Sequence, residues 1–383
     1  MGTMERILRL MAERKASDVY LSPGTSAQIR INGECLPINS QLLPPDAPLE
    51  LLREILPAAR IEELLRTGEL NMATPLPGVG SFRISAMRQR GSYSAVIRYV
   101  LNEIPDFEAL NLPEVLRSLI MEKRGLILMV GATGAGKTTT MASMLDYRNA
   151  RASGHILTIE DPIEFNFRSK RSVVNQREIG SDTESLGTAL KNALRQAPDV
   201  IQIGEIRDRE TMTAAIAYAQ SGHLVLATLH ANNAYRALNR ILSFYPVEVR
   251  PTLLGDLAGA LRAIVAQRLL RTPRGSRMPA VEIMLNTALV ADLIEKGDFS
   301  GVKEAMQQSM AEGSQTFEEA IAELILAGTI EREEGLAHAD SPTDLMWRLQ
   351  NHNAKPTRQD AESALLAQTE APSFTEITLD VHH

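Results

Sequence analysis

The residues that point most directly to a chemistry are Gly131–Thr138, which read GATGAGKT. They match the pattern G-x-x-x-x-G-K-[ST], in which glycines let backbone N–H groups turn towards a phosphate. An apolar run, Leu126–Val130, precedes this loop, and apolar residues at helical spacing follow it. A strand before the loop and a helix after it are the context that the motif requires. The sequence therefore predicts a nucleotide-binding P-loop.

The residue types in this loop also predict the ligands, which are ATP and Mg²⁺. Lys137 is expected to reach the β- and γ-phosphates, and the Thr138 hydroxyl is expected to ligate Mg²⁺. The predicted nucleotide-binding residues of the loop are Gly131, Thr133, Gly134, Ala135, Gly136, Lys137, Thr138 and Thr139.

Two acidic segments, Thr158–Phe165 and Asp199–Asp208, stand at the ends of predicted strands. Glu205 comes just past the carboxyl end of its strand, where ligands bind in open α/β sheets. A single loop carboxylate is most often a solvated charge, but a P-loop needs groups that activate water and hold the metal. We therefore predict that Glu205 takes part in the site, with Thr138, Glu160 and Glu205 around the metal.

His223 and His230 bracket a further predicted strand. Seven residues of strand separate two side chains by about 23 Å, so the two histidines cannot share one metal ion. His230, at the carboxyl end, is a candidate contact for the γ-phosphate. His223 is expected to be structural or to lie at a subunit contact.

The elements that must position these residues belong to two different patterns. Residues 1–105 alternate short β-branched runs with turns and one helical stretch, which predicts an α+β domain with a hairpin turn at Asn32-Gly33. Residues 106–270 alternate continuous apolar runs with helical patterns, which predicts a parallel sheet covered by helices, an α/β core. Helical spacing from Thr252 to Ile264 and beyond predicts a helical subdomain over residues 271–350. Residues 351–383 are predicted to be a flexible tail.

Arg83, Arg88 and Arg98 lie in the last strand-turn-strand that is predicted for the first domain, with strands at Ser81–Met87 and Ser94–Val100. They can be the solvated face of an antiparallel sheet, or guanidinium groups offered to a phosphate from outside the core. Both readings stay open at this point.

Composition excludes several classes of protein. Lys and Arg number 40 against 47 Asp and Glu, a net charge of −7, which argues against a nucleic-acid partner. One cysteine, Cys35, excludes internal disulfides and cysteine-built zinc clusters. No apolar run approaches the ~20 residues that cross a bilayer. We expect a cytoplasmic protein.

Four segments resemble, in order, the Walker A, Asp-box, Walker B and His-box motifs of the secretion ATPases. They are Gly131–Thr138, Thr158–Phe165, Asp199–Asp208 and Gly222–His230. Ala16–Pro23 and Val174–Glu178 are similar to the PilT/PilU ATPases, the retraction branch of type IV pili. The resemblance covers roughly residues 5 to 350.

The resemblance implies a RecA-like ATPase core, a PAS-like N-terminal domain and a C-terminal helical subdomain. It implies Glu164 as the catalytic glutamate, Glu205 as the Walker B glutamate and His230 as the second His-box histidine. Lys137 joins these as a catalytic residue, and Arg83 and Arg98 match arginines offered to nucleotide. It also implies a hexamer at the inner-membrane base of the pilus, a PilT-type sister ATPase and a membrane platform protein as partners.

Two departures favour a PilU-like accessory motor over a PilT-like one. The Ala-Ile-Arg-Glu-Gly motif of PilT is replaced by Leu293–Asp298, LIEKGD, and the His-box is followed by Ala231-Asn232-Asn233. Two other functions stay open, a nucleotide-gated scaffold with little hydrolysis and, less favoured, a RecA-like nucleic-acid motor. The tail either docks on a partner through its alternating Ile377, Leu379 and Val381 or has no binding role.

Overall fold

The computed structural model describes residues 2–31, 34–100, 104–308 and 311–351. The chain divides into two compact units, one of Met1–Leu269 with Arg277–Thr316 and one of Leu270–Ser276 with Phe317–His383. The predicted α/β class is confirmed. The hairpin turn predicted at Asn32-Gly33 and the tail predicted beyond Asn351 lie outside the described residues.

The N-terminal domain is an antiparallel sheet of order β3-β2-β1-β6-β5-β4 with helices on one face. In β5, Phe82 and Ile84 are buried against the helices while Arg83 between them points to the other face, as strand alternation requires. The strands are β1 (Asp18–Leu21), β2 (Ser26–Ile31), β3 (Glu34–Leu42), β4 (Glu69–Leu76), β5 (Gly80–Gln89) and β6 (Ser92–Val100), and the helices are α1 (Thr3–Glu13), α2 (Ala47–Arg53) and α3 (Ala58–Thr67).

The second sheet has the order β13-β12-β7-β11-β10-β8-β9, and the strands from β12 to β9 run parallel. Strands β7, β10 and β11 are buried along their whole length, which explains their continuous apolar sequences. The strands are β7 (Gly125–Val130), β8 (Gly154–Glu160), β9 (Ser172–Glu178), β10 (Val200–Ile203), β11 (Leu224–Leu229), β12 (Leu261–Arg271) and β13 (Arg277–Leu285), and the helices are α4 (Val115–Ile120), α5 (Lys137–Arg151), α6 (Leu186–Ala193), α7 (Arg209–Gln220), α8 (Ala234–Ser243) and α9 (Arg250–Ala260).

The helix predicted from Thr252 to Ile264 is wrong beyond Ala260, where the chain enters strand β12. Leu257 still lies in helix α9, but Leu261 and Ile264 lie in the strand. Residues 263–267 are all buried, so their apolar character carries no period that separates strand from helix. Strands β12 and β13 thus extend the second sheet beyond β7, on the side away from β11.

Helices follow β13 in the described chain. Helices α10 (Ala288–Lys296) and α11 (Phe299–Gln308) belong to the first unit, and α12 (Phe317–Leu326), α13 (Arg332–His338) and α14 (Pro342–Gln350) belong to the second. In the second unit α12 packs on α14, and Arg348 pairs with Glu319 at 2.9 Å. Within the described ranges, no helix combines the length and apolar character that a membrane span needs.

Candidate nucleotide site

The loop between β7 and α5 has the backbone shape that its glycines allow. Gly131, Gly134 and Gly136 have φ values of 150°, 80° and 84°. A Cβ on Gly131 would lie 2.7 Å from the backbone oxygen of Gln267, and a Cβ on Gly136 would lie 2.7 Å from the Gln267 amide nitrogen. A side chain at position 131 would collide with the backbone of β12, and at position 136 the left-handed φ strains any residue with a Cβ, so both positions favour glycine.

Lys137 begins helix α5 and is buried, with 8% of the residue exposed. Its Nζ donates hydrogen bonds to the carbonyl oxygens of Gly131 at 2.8 Å and Ala132 at 2.9 Å. Burial lowers the pKa of Lys137, while the charges of Glu205 and Glu164 oppose that shift. The ammonium is thus desolvated and held by the loop that it is predicted to serve.

One cavity of about 790 Å³ brings most of the predicted site residues together. Its lining includes Thr133, Gly134, Gly136, Lys137, Thr138, Thr139, Glu160, Glu164, Glu205 and His230. Gly131 lines a second cavity of about 610 Å³, whose wall also includes His230, and Ala135 is buried within the loop. Arg83 and Arg98 line neither cavity. His223 lies at the amino end of β11, the opposite end from His230, where its Nδ1 is 3.1 Å from Ser221 Oγ.

Glu164 follows β8 after the turn at Asp161-Pro162, whose peptide bond is cis. Its side chain is 43% exposed, and its Oε1 lies 3.8 Å from Nη2 of Arg83 in the N-terminal domain. Glu164 therefore combines access to water with a position on the wall of the cavity that the P-loop lines.

Glu205 is held more firmly than Glu164. One carboxylate oxygen lies 3.0 Å from His230 Nε2, and the other accepts a hydrogen bond from Arg207 Nε at 2.7 Å. Arg207 also lies 3.8 Å from Asp161, so it joins the two acidic segments. Sequence reasoning assigned no role to Arg207. The sequence feature that could have indicated its role is a basic residue two positions after the predicted Walker B glutamate, Glu205.

Glu160, at the end of β8, is buried, with 5% of the residue exposed. Its Oε1 accepts hydrogen bonds from Thr158 Oγ1 at 2.6 Å and Gln176 Nε2 at 3.1 Å. Burial raises the pKa of Glu160, and these hydrogen bonds partly oppose that shift. Gln176 also donates to the backbone oxygen of Phe165, so the two side chains brace the turn that carries Glu164.

The predicted metal ligands fit Mg²⁺ in type. Thr138, Glu160 and Glu205 offer oxygen donors on the wall of one cavity, and Mg²⁺ prefers oxygen ligands. In the part of the chain that the structure describes, no group of three or more His, Cys, Asp or Glu could hold a metal ion. A Mg²⁺ ion at this cavity would thus need phosphate oxygens and water, as is usual for this ion.

Because burial raises the Glu160 pKa, protonated Glu160 stabilises the fold and ionised Glu160 weakens it. Stability from this group is present at acidic pH and falls as pH rises through the range between its unfolded and folded pKa values. We expect Glu160→Gln, which cannot ionise, to gain in free energy of unfolding relative to the wild type as pH rises. Denaturant unfolding from pH 4.5 to 8 without nucleotide measures this difference. A difference that stays flat over this pH range would contradict it.

Arg83 and Arg98 sit directly opposite each other on β5 and β6 but meet different partners. Arg98 Nε donates to Asp18 Oδ1 at 2.9 Å, and Arg30 lies 3.8 Å from the same carboxylate. Of these two arginines, Arg83 is the one that reaches the domain of the second sheet, through Glu164. That both arginines serve the nucleotide stays a prediction. Sequence analysis missed Asp18 because its pairing depends on the register of β1 with β6.

We expect Arg98→Ala to lower the free energy of unfolding by about 1–3 kcal/mol, the usual cost of removing the partner of a buried polar group. Asp18 is 3% exposed and would keep only Ser17 at 2.8 Å and the more distant Arg30. Denaturant unfolding measures the loss. Arg66→Ala, on an exposed face of α3, is the matched control. A loss no larger than that of the control would show that Arg98 is not needed by Asp18.

The comparisons with known proteins agree with this geometry. Residues 4–358 match the family described as Type II/IV secretion system protein. The chain is 46% identical to the type IV pilus ATPase PilU of Pseudomonas aeruginosa, covering 89% of this chain and 90% of that one. It is 36% identical to the retraction ATPase PilT of the same organism, covering 88% and 98%.

Among solved structures, the pilus retraction motor PilT with bound ADP superposes with a TM-score of 0.85 at 37% identity, covering 91% of this chain and 99% of that one. The ATPase DotB of Legionella pneumophila superposes with a TM-score of 0.73 at 26% identity, covering 87% and 94%. The chain therefore belongs to the type II/IV secretion system protein family and, within it, to the PilT/PilU type of ATPase.

Proposed function

We propose that this protein is an ATP-hydrolysing motor of the type IV pilus machinery, a PilU-like accessory retraction ATPase that drives pilus depolymerisation and twitching motility. The observation that carries the proposal is the single cavity shared by the P-loop, Glu164, Glu205 and His230. The identity to PilU and the ADP held by the PilT structure support the pilus system and an adenine nucleotide.

The P-loop supplies the binding part of this function. The N–H groups of the loop and the N-terminus of α5 offer partial positive charge to phosphate oxygens. Lys137 Nζ can exchange the carbonyls of Gly131 and Ala132 for phosphate oxygens, which carry more negative charge. Mg²⁺, when bound with ATP, compensates phosphate charge, and Thr138 and the carboxylates of Glu160 and Glu205 would hold it.

The contacts of the carboxylates suggest how their roles divide. Glu205 is held between His230 and Arg207, and Glu160 is buried with its Oε1 already accepting two hydrogen bonds. Glu164 is half exposed and has one cationic neighbour at 3.8 Å. We therefore assign Glu164 as the base that takes a proton from water, with Glu205 beside the metal and His230 placed to contact the γ-phosphate.

The assembly and location are part of the same proposal. A hexameric ring would place Arg83 and Arg98 of the N-terminal domain near a nucleotide. The partners are a PilT-type sister ATPase and the platform protein of the inner membrane, and the motor acts from the cytoplasmic side at the base of the pilus. The identities to PilU and PilT are the support for these assignments.

ATP turnover by the purified protein, with and without a PilT-type partner, tests the proposal most directly. We expect turnover by a species whose mass, from light scattering with ATP present, is that of a ring. ATP binding and ring assembly without turnover under either condition would favour a nucleotide-gated scaffold instead. A strictly monomeric species at micromolar concentration would contradict the ring.

A further inference from the structure

Gln267 is a buried polar residue next to the P-loop, and the proposed function gives it no role. It lies in β12, which runs parallel to β7, and the last paired residues of the two strands are Ala266 and Val130. Gln267 is the next residue, so it stands beside Gly131, where β7 gives way to the loop. The residue is 3% exposed. A buried amide is costly unless its polar atoms are bonded, so its partners are informative.

Its hydrogen-bond partner and its packing neighbours lie in three parts of the phosphate-binding segment. Gln267 Oε1 accepts a hydrogen bond from Thr140 Oγ1 at 2.8 Å, and Thr140, in the first turn of α5, is 1% exposed. The backbone oxygen of Gln267 stands against Gly131 at the start of the loop. Its Nε2 stands against Gly136 at the end of the loop. One side chain and its own backbone thus meet the start of the loop, its end and the helix that follows.

We propose that Gln267 is a positioning residue for nucleotide binding, which fixes the P-loop in the shape that points its N–H groups at phosphate. Strand β12 is a rigid neighbour because it is paired with β7 and buried. The Gln267–Thr140 hydrogen bond ties the first turn of α5 to that strand, and Gln267 packs against the loop at Gly131 and Gly136. This role rests on the proposed nucleotide binding, since it concerns the same loop.

Gln267 differs from the residues that are predicted to touch the nucleotide. Its amide is engaged by Thr140, on the strand side of the loop, and it does not line the cavity. Its neighbour Leu269 does line the cavity and also stands 3.6 Å from the Cβ position of Gly136. We therefore expect loss of Gln267 to act through the loop conformation, with the chemical groups of the site all still present.

Two variants remove the hydrogen bond from opposite sides, Gln267→Leu and Thr140→Val. Hydrogen exchange of residues 131–137 in the nucleotide-free protein reports the loop alone, and titration with Mg-ADP reports its consequence. We expect faster exchange and about tenfold weaker ADP binding in each variant, the loss that one buried hydrogen bond typically gives. We also expect the double variant to lose little more than either single one, because both remove the same bond.

Asn286→Leu is the matched control. Asn286 donates to the carbonyls of Ala258 in α9 and of Leu261 at the start of β12, so this variant disturbs the same strand away from the loop. It should leave loop exchange and ADP affinity at wild-type values. A Gln267→Leu protein that folds with wild-type exchange in residues 131–137 would overturn the proposal, and so would additive losses in the double variant. Wild-type protein that binds no Mg-ADP, with loop exchange still quickened by Gln267→Leu, would overturn the proposed function and leave the positioning role supported.

Discussion

Glu164→Gln should reduce ATP turnover by about 10²–10⁴-fold, the usual contribution of a general base, while ATP binding persists. The amide keeps the shape of the side chain but cannot take a proton from water. Glu164 is half exposed on the cavity wall. Glu205 is instead paired with His230 and Arg207, and Glu160 is buried. Steady-state turnover and a nucleotide affinity for the same protein measure the two expectations separately.

Two further variants keep this experiment specific. Glu184→Gln changes another exposed glutamate of the same cavity, and its turnover should stay within a few-fold of the wild type. Arg83→Ala removes the cation that faces Glu164 and leaves the carboxylate in place. A pre-steady-state burst measures the chemical step separately from steady-state turnover. If Arg83→Ala and Glu164→Gln lost the same turnover while the burst of Glu164→Gln kept its wild-type rate, the loss would come from the broken ion pair and not from a missing base. Turnover of Glu164→Gln within a few-fold of wild type would remove Glu164 from the catalytic role.

Lys137→Ala should weaken nucleotide binding by about 100-fold or more, that is by at least about 2.8 kcal/mol, which lies within the about 2–5 kcal/mol that the loss of a buried hydrogen-bonded charge costs. Lys137 brings the only cationic side chain among the described residues of the loop 131–137, and the backbone N–H groups alone compensate phosphate charge poorly. The fold should survive, because the change removes a desolvated cation. Mg-ADP titration and thermal unfolding measure the two properties.

Lys191→Ala is the control for this prediction. Lys191 lies in helix α6 with a side chain that is 77% exposed, and its pairing with Glu210 at 3.6 Å is a surface contact of small energy. Its loss should leave nucleotide affinity unchanged. Wild-type affinity and turnover in Lys137→Ala would instead mean that the nucleotide does not use this loop.

The sequence predicted the P-loop because the motif is local. Gly131, Gly136 and Lys137 act through backbone angles and a helix start that eight consecutive residues determine. The carboxylates could also be placed, since the ends of parallel strands share one edge of a sheet. That edge brings Glu160 and Glu205 to one cavity although 45 positions separate their numbers.

Features that depend on distant registers escaped sequence reasoning. Asp18 finds Arg98 only because β1 pairs with β6 in one particular register. Gln267 finds Thr140 only because β12 is a strand, and the buried run around it has no period that distinguishes it from a helix. The one local sign was the glutamine itself, because a glutamine within a buried apolar run predicts a hydrogen-bond partner for its amide.

The way the second compact unit is assembled limits how relatives can exchange parts. The chain enters this unit at Leu270–Ser276, returns to the first unit, and comes back at Phe317. Arg271 N donates to Glu334 at 2.8 Å, so the two pieces are bonded to each other. A chimera that exchanges only the residues after Thr316 would combine the Glu334 region of one relative with the β12–β13 turn of another. Recombination within the family should therefore preserve both pieces together, and a working hybrid needs three junctions, two of which fall at strands β12 and β13.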